Sequence, residues 1–185
     1  MLIELALASS IALAGTCDYG ARHPEAPEEL EQVAFLVGDY EIRAYGRQGD
    51  GWTQGYLTTD WNGRWALDGF AIYDEWFDVQ WPNQEKTWGR GANLRLYKPD
   101  MEQWVMVWAH TSPGAPGQDL RAQLRGDRMV MWQVHPEKDT DWKAEFEILD
   151  DGHWVRYSYI RPFGTDEWEA EGKLEAIRKP CEADG

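Results

Sequence analysis

Sulfur chemistry is nearly absent from this 185-residue chain: Cys17 and Cys181 are its two cysteines, one near each end. Neither has an adjacent histidine or a CxxC partner, which argues against redox catalysis and against a cysteine-based metal site. Basic residues are also scarce. Eighteen Lys and Arg stand against 33 Asp and Glu, for a formal charge of -15 and a pI near 4.6. A field of that sign repels phosphate backbones and anionic lipid heads, so neither nucleic acid nor a membrane surface is expected as a partner. GxSxG, HExxH, P-loop and GxGxxG patterns are all missing. No catalytic residue, metal site or cofactor is therefore expected.

The one long apolar run is at the start. Met1–Thr16 (MLIELALASSIALAGT) has the small-residue, apolar character of a signal-peptide core and is too short for a stable membrane span. It lacks the usual preceding Lys or Arg and contains Glu4, while Leu13–Cys17 resembles a degraded lipoprotein cleavage box. Export is expected, to a periplasmic or lipid-anchored location. Two fates stay open for the cysteines: a disulfide joining the termini, or a lipid on Cys17 that leaves Cys181 unpaired. The chain thus divides into a leader over 1–17, a polar linker over 18–27 and a folded domain over 28–180.

What the sequence has in abundance is tryptophan, twelve of them between Trp52 and Trp168, nearly all on strand-like stretches. Indoles are costly on a surface, so this number points to an aromatic cavity or a plugged interior. One short helix is expected near the start, opened by Pro27 and glutamates, with Leu30, Val33, Ala34 and Val37 on one face, and ended by Gly38. After it no long helical pattern occurs. Turn signals recur instead: Asn62-Gly63 as a two-residue hairpin turn, then Pro99-Asp100, Gly126-Asp127, Asp151-Gly152 and Pro162–Thr165. The pattern predicts an all-β, antiparallel up-and-down barrel of about nine or ten strands, closed so that no edge is left.

Register can be followed from the turns. Gly126-Asp127 pairs Leu124 with Met129, Ala122 with Met131 and Leu120 with Gln133, with Arg121, Gln123 and Arg125 outside. Asp151-Gly152 sets Ile148, Phe146 and Ala144 opposite Val155, Tyr157 and Tyr159, and the next loop sets these opposite Trp168, Ala170 and Gly172. Glu167, Glu169, Glu171, Lys173 and Glu175 then face solvent. On this reading Gln133, His135 and Tyr157 are polar groups on the inward face and candidate ligand contacts, His135 being alternatively solvated at the mouth. For residues 90–110 either face could point inward. The favoured one carries Asn93, Arg95, Trp104, Met106, Trp108 and His110, a set able to hold a carboxylate or polar head on an apolar ligand. Asp68, Asp74, Glu75 and Asp78 are expected along a solvated edge. Gly89-Arg90-Gly91 is read as relief for close strand packing or a bulge.

Ala34–Glu41 (AFLVGDYE), Leu67-Asp68-Gly69-Phe70, Asn93–Pro99 (NLRLYKP) with Trp104 and Trp108, and Glu175–Arg178 (EAIR) occur in an order that resembles a bacterial family of calycin-like barrels with no assigned activity. The resemblance spans about residues 28–179. Its relatives include lipocalins, fatty-acid-binding proteins and nitrobindins, which implies a barrel around a hydrophobic ligand. Nitrobindins carry an axial histidine on a strand near the C-terminus; the matching Trp168–Leu174 has none, so haem is not expected unless His110 or His135 substitutes.

Three functions follow as expectations. The first is binding of a small hydrophobic or aromatic molecule, at Arg95, Trp104, Trp108, His110, Gln133, His135 and Tyr157. The second is a hydratase, isomerase or cyclase on a similar substrate, with His110 or His135 as acid/base and Arg95 steadying negative charge. The third is a structural or interaction subunit whose interior is filled by its own side chains.

Overall fold

The computed structural model describes residues 17–77, 90–111, 117–135, 140–150 and 152–181. Ten antiparallel strands form a closed barrel in which every strand neighbours the next in sequence and the last closes on the first. They are β1 Gly38–Gln48, β2 Gly51–Ala66, β3 Ala71–Phe77, β4 Arg90–Lys98, β5 Gln103–His110, β6 Gln118–Arg125, β7 Arg128–Gln133, β8 Thr140–Asp150, β9 His153–Pro162 and β10 Glu169–Arg178. The expected all-β, up-and-down architecture is the one observed.

The expected helix is present as a 3-10 helix, Glu28–Leu36, whose buried residues are Leu30, Val33 and Leu36. Their spacing of three matches the three residues per turn of that helix, so one ridge faces the barrel. It closes the end where β1 begins. There Phe35, Tyr40, Trp61 and Phe146 surround Trp154, with ring centroids 6.1, 5.7, 5.4 and 5.7 Å from its own. Such tilted and edge-on contacts are the favourable arrangement for aromatic rings, and they fill this half of the interior.

Asn62-Gly63 is not a turn. Both residues lie inside β2, and the hairpin is made instead by Gly49-Asp50, with Gln48 facing Gly51. Gly63 has another reason to be glycine: a Cβ there would sit 1.9 Å from the Leu36 carbonyl oxygen, so the strand could not approach the helix end.

The Gly126-Asp127 hairpin has the expected register, Leu124 on Met129 through Leu120 on Gln133. The Asp151-Gly152 hairpin does not. Asp150 faces His153, but the register then shifts, so that Ile148 faces Trp154, Phe146 faces Arg156 and Ala144 faces Ser158. One extra residue, Leu149, forms a bulge that turns the whole of β9 over. Trp154, Arg156, Ser158 and Ile160 therefore face inward, while Val155, Tyr157 and Tyr159 face out. A second shift between Ala170 and Gly172 follows on β10. Trp168 is accordingly on the outer face, where Lys143 and Arg161 lie 4.9 and 4.7 Å from its ring. Not all indoles converge on the interior.

Residues 17–27 run against the barrel. The Tyr19 carbonyl accepts from Trp65 N–H at 2.9 Å, the His23 N–H donates to Gly69 O at 3.1 Å, and Ala26 is buried. Cys17 and Cys181 form a disulfide, which takes the thiol that a lipid anchor would require.

Candidate functional site

A cavity of about 340 Å3 occupies the barrel half opposite the 3-10 helix. Three tryptophans, one from each of β3, β5 and β8, wall it: Trp76, Trp108 and Trp142. Leu120, Met131 and Ile160 supply aliphatic and thioether surface, and Asn93, Gln118, Gln133, Thr140, Arg156 and Glu171 supply polar groups. Gly91 lets the wall form. A Cβ at this buried position would lie 1.8 Å from Trp108 Cη2, so the indole lies flat over the β4 backbone. The close packing expected for the glycine pair is observed at Gly91; Gly89 lies outside the described residues.

Beneath the cavity is a buried ion pair. Asp74 is fully buried and Arg95 is 2% exposed. Arg95 Nε and Nη2 both donate to the Asp74 carboxylate, the second at 3.3 Å, and Asn93 Nδ2 donates to the same group at 3.2 Å. Arg95 Nη1 points at Met106 Sδ, 3.0 Å away, and the guanidinium lies 5.7 Å from the Trp61 ring. Asp74 was expected on a solvated edge. The structure overturns that, because cross-strand register places it opposite Asn93, one pleat from Arg95, on the inner face. Burial of a charge is tolerable only with a partner of this kind.

The second interior arginine has no such partner. Arg156 makes no hydrogen bond and no ion pair among the described residues, and its Nε is shut off from solvent. Its guanidinium lies 5.5 Å from the Trp76 ring. Burial first, and then the nearby charge of Arg95, pushes it down to about 10, which leaves it cationic at neutral pH. Two further buried polar atoms on the lining also lack partners, Trp76 Nε1 and Asn93 Oδ1. Native interiors satisfy most such atoms, so three around one cavity mark it out.

The sequence-derived candidates divide. Trp108 and Gln133 line the cavity. Arg95 is inward but engaged by Asp74. Trp104 is inward at the other end, under the 3-10 helix, where its Nε1 donates to Gln32 Oε1 at 3.3 Å. The favoured face of 90–110 is thus the inner one, with its residues spread over the barrel's length. His110 ends β5 half-buried, its ring 6.0 Å from that of Trp108, and is not part of the lining. Two expectations are corrected. His135 is exposed in the bend after β7, because β7 ends at Gln133. Tyr157 is on the outer face, its ring 6.2 Å from that of Trp52, as a consequence of the Leu149 bulge. Among the described residues, no three His, Cys, Asp or Glu side chains gather as a metal ion needs.

No protein-family model and no curated protein matches the chain. Its fold is similar to that of the S-type phycobiliprotein lyase CPES from Guillardia theta, with a TM-score of 0.55 and 11% identity over 83% of this chain and 94% of that one. At that identity the likeness concerns the fold, a calycin-like barrel.

Proposed function

We propose that this protein binds a small apolar or aromatic molecule in the barrel cavity. The observation that carries the reading is the division of the interior: one half is filled by rings around Trp154, while the other keeps a 340 Å3 space walled by three tryptophans. That volume is at the small end of ligand pockets, and an apolar wall with a few polar groups is their usual make-up. It holds roughly eleven waters at the ~30 Å3 each takes in the liquid, or a body of one or two fused rings. A barrel of this build serves a phycobiliprotein lyase, which supports reading the interior as working space for a small molecule.

The proposal extends to kinship with lipocalins and fatty-acid-binding proteins, and to export, with a leader that ends before Cys17 and 18–27 as the segment leading into the barrel. The terminal disulfide supports export, since such bonds persist in oxidising compartments. Titration with a panel of neutral and charged polyaromatics tests the central claim. Binding at Trp76, Trp108 or Trp142 quenches or shifts indole emission, and substitution Trp108→Leu weakens it. A panel that leaves the emission unchanged refutes the reading.

A further inference from the structure

Resting on the binding reading above, we infer that the cavity selects a flat aromatic monocarboxylate, with the carboxylate seated on Arg156. The argument begins with charge. Inside the barrel, Arg95 is neutralised by Asp74, whereas Arg156 has no counter-ion within hydrogen-bonding or ion-pair distance among the described residues. Arg156 is half-buried with its Nε closed off from solvent, and the charges of Asp74 and Glu171 reach it only at a distance, so a ligand anion would supply the direct contact it lacks. Guanidinium and carboxylate also match in shape, as parallel N–H donors meeting two oxygens.

Trp76 adds a second unpaired N–H beside it, its ring 5.5 Å from the Arg156 guanidinium. One anion, and not two, fits. Glu171 lines the same cavity and carries negative charge at the start of β10, so a second carboxylate on the ligand would meet repulsion. The rest of the wall, Trp108 and Trp142 with Ile160, offers indole faces suited to a planar apolar body.

The test compares 2-naphthoate with 2-naphthamide, equal in shape and different in charge, by calorimetry on the full chain at pH 7. Wild type should bind the naphthoate about tenfold or more tightly than the amide, the range expected of a hydrogen bond to a charged group. Arg156→Gln should bring the two affinities together, mainly by weakening the naphthoate, and Arg156→Lys should keep part of the preference. Because Arg156 has no hydrogen bond or ion pair among the described residues, Arg156→Gln should melt at or above the wild-type temperature. Equal affinities in wild type, a preference that survives in Arg156→Gln, or a melting point several degrees lower in that variant each overturn the inference. If neutral polyaromatics quench tryptophan emission while the naphthoate shows no advantage, only the carboxylate seat fails. If no compound binds, the cavity reading fails with it.

Discussion

The Asp74–Arg95 pair makes a quantitative prediction through a double-mutant cycle. Both side chains are cut off from water, at 0% and 3% exposure, so neither charge can be rescued by solvent when its partner is removed. Asp74→Leu leaves a guanidinium facing Met106 Sδ and Trp61, and Arg95→Met leaves a carboxylate with the single amide of Asn93. Breaking one side of a buried pair costs about 3–5 kcal/mol. In the double variant both charges are gone and similar volume is kept. What remains is the Asn93 amide that has lost its acceptor, about 1–3 kcal/mol. Additive behaviour would give roughly 6–10 kcal/mol, so the coupling energy should be at least about 3 kcal/mol. The assay is urea unfolding followed by both tryptophan emission and far-ultraviolet dichroism, whose transitions must coincide for the free energies to be valid. A double variant as unstable as the sum of the singles would refute the reasoning. So would either single variant costing under about 1 kcal/mol, the value of an exposed pair.

Gly91→Ala forces a Cβ into the Trp108 ring, so it should cost about 1–3 kcal/mol and weaken aromatic-ligand binding by tilting the indole into the cavity; unfolding and quenching titrations read the two effects. Replacing Cys17 and Cys181 together by serine opens a bond spanning 164 residues, which should lower stability by about 2–5 kcal/mol, seen as a lower urea midpoint and matched by adding reductant to the parent protein. Burial first, and then its 2.6 Å hydrogen bond to Glu175, pushes Tyr45 up from 10.0 to about 12. The folded state keeps that proton when the unfolded chain loses it, so the contribution is intact below pH 10 and is lost as pH rises toward 12. Tyr45→Phe should therefore flatten part of the alkaline fall in stability, measured by urea titrations at about pH 9 and 11.

How far the sequence could be read depended on whether a turn added a residue. The Gly126-Asp127 hairpin joins its strands with no irregularity, so alternation carried straight through and Gln133 was placed on the inner face. The next hairpin adds Leu149, which inverts the faces of β9 and the start of β10, until the shift between Ala170 and Gly172 restores the expected alternation. Hydropathy could not correct this. Val155, Tyr157 and Tyr159 form a more apolar set than Trp154, Arg156, Ser158 and Ile160, so the wrong face looked like the buried one. The cavity's cation was hidden by the same inversion. Asp74 was missed for a different reason: its partner lies 21 residues away on the adjoining strand, and the contact exists only once Asp74 is registered against Asn93. Asn62-Gly63 has the composition of a hairpin turn, yet the glycine answers to a helix end 27 residues earlier. A signal was available for Trp76 and Trp142, which share the tryptophan-rich pattern that identified Trp108.

Arg95 and Arg156 are alike in chemistry and share one barrel, and the difference between them lies in whether a carboxylate comes within reach. β3 meets β4 so that Asp74, opposite Asn93 and one pleat from Arg95, accepts from both Arg95 and the Asn93 amide. β9 meets β8 so that Arg156 faces Phe146, and meets β10 so that it faces Leu174. The inner face thus gives Arg95 a carboxylate one pleat away, whereas Arg156 has the Trp76 ring and only the more distant charges of Asp74 and Glu171. A residue whose charge serves the fold should, when neutralised, lower stability before anything else. A residue whose charge has no protein partner should leave stability intact and change what the cavity accepts. Arg95→Met and Arg156→Gln, compared side by side in unfolding and in ligand titration, should therefore fail in opposite assays. Equal losses of stability in both would mean that Arg156 is held by the protein and is not free for a ligand.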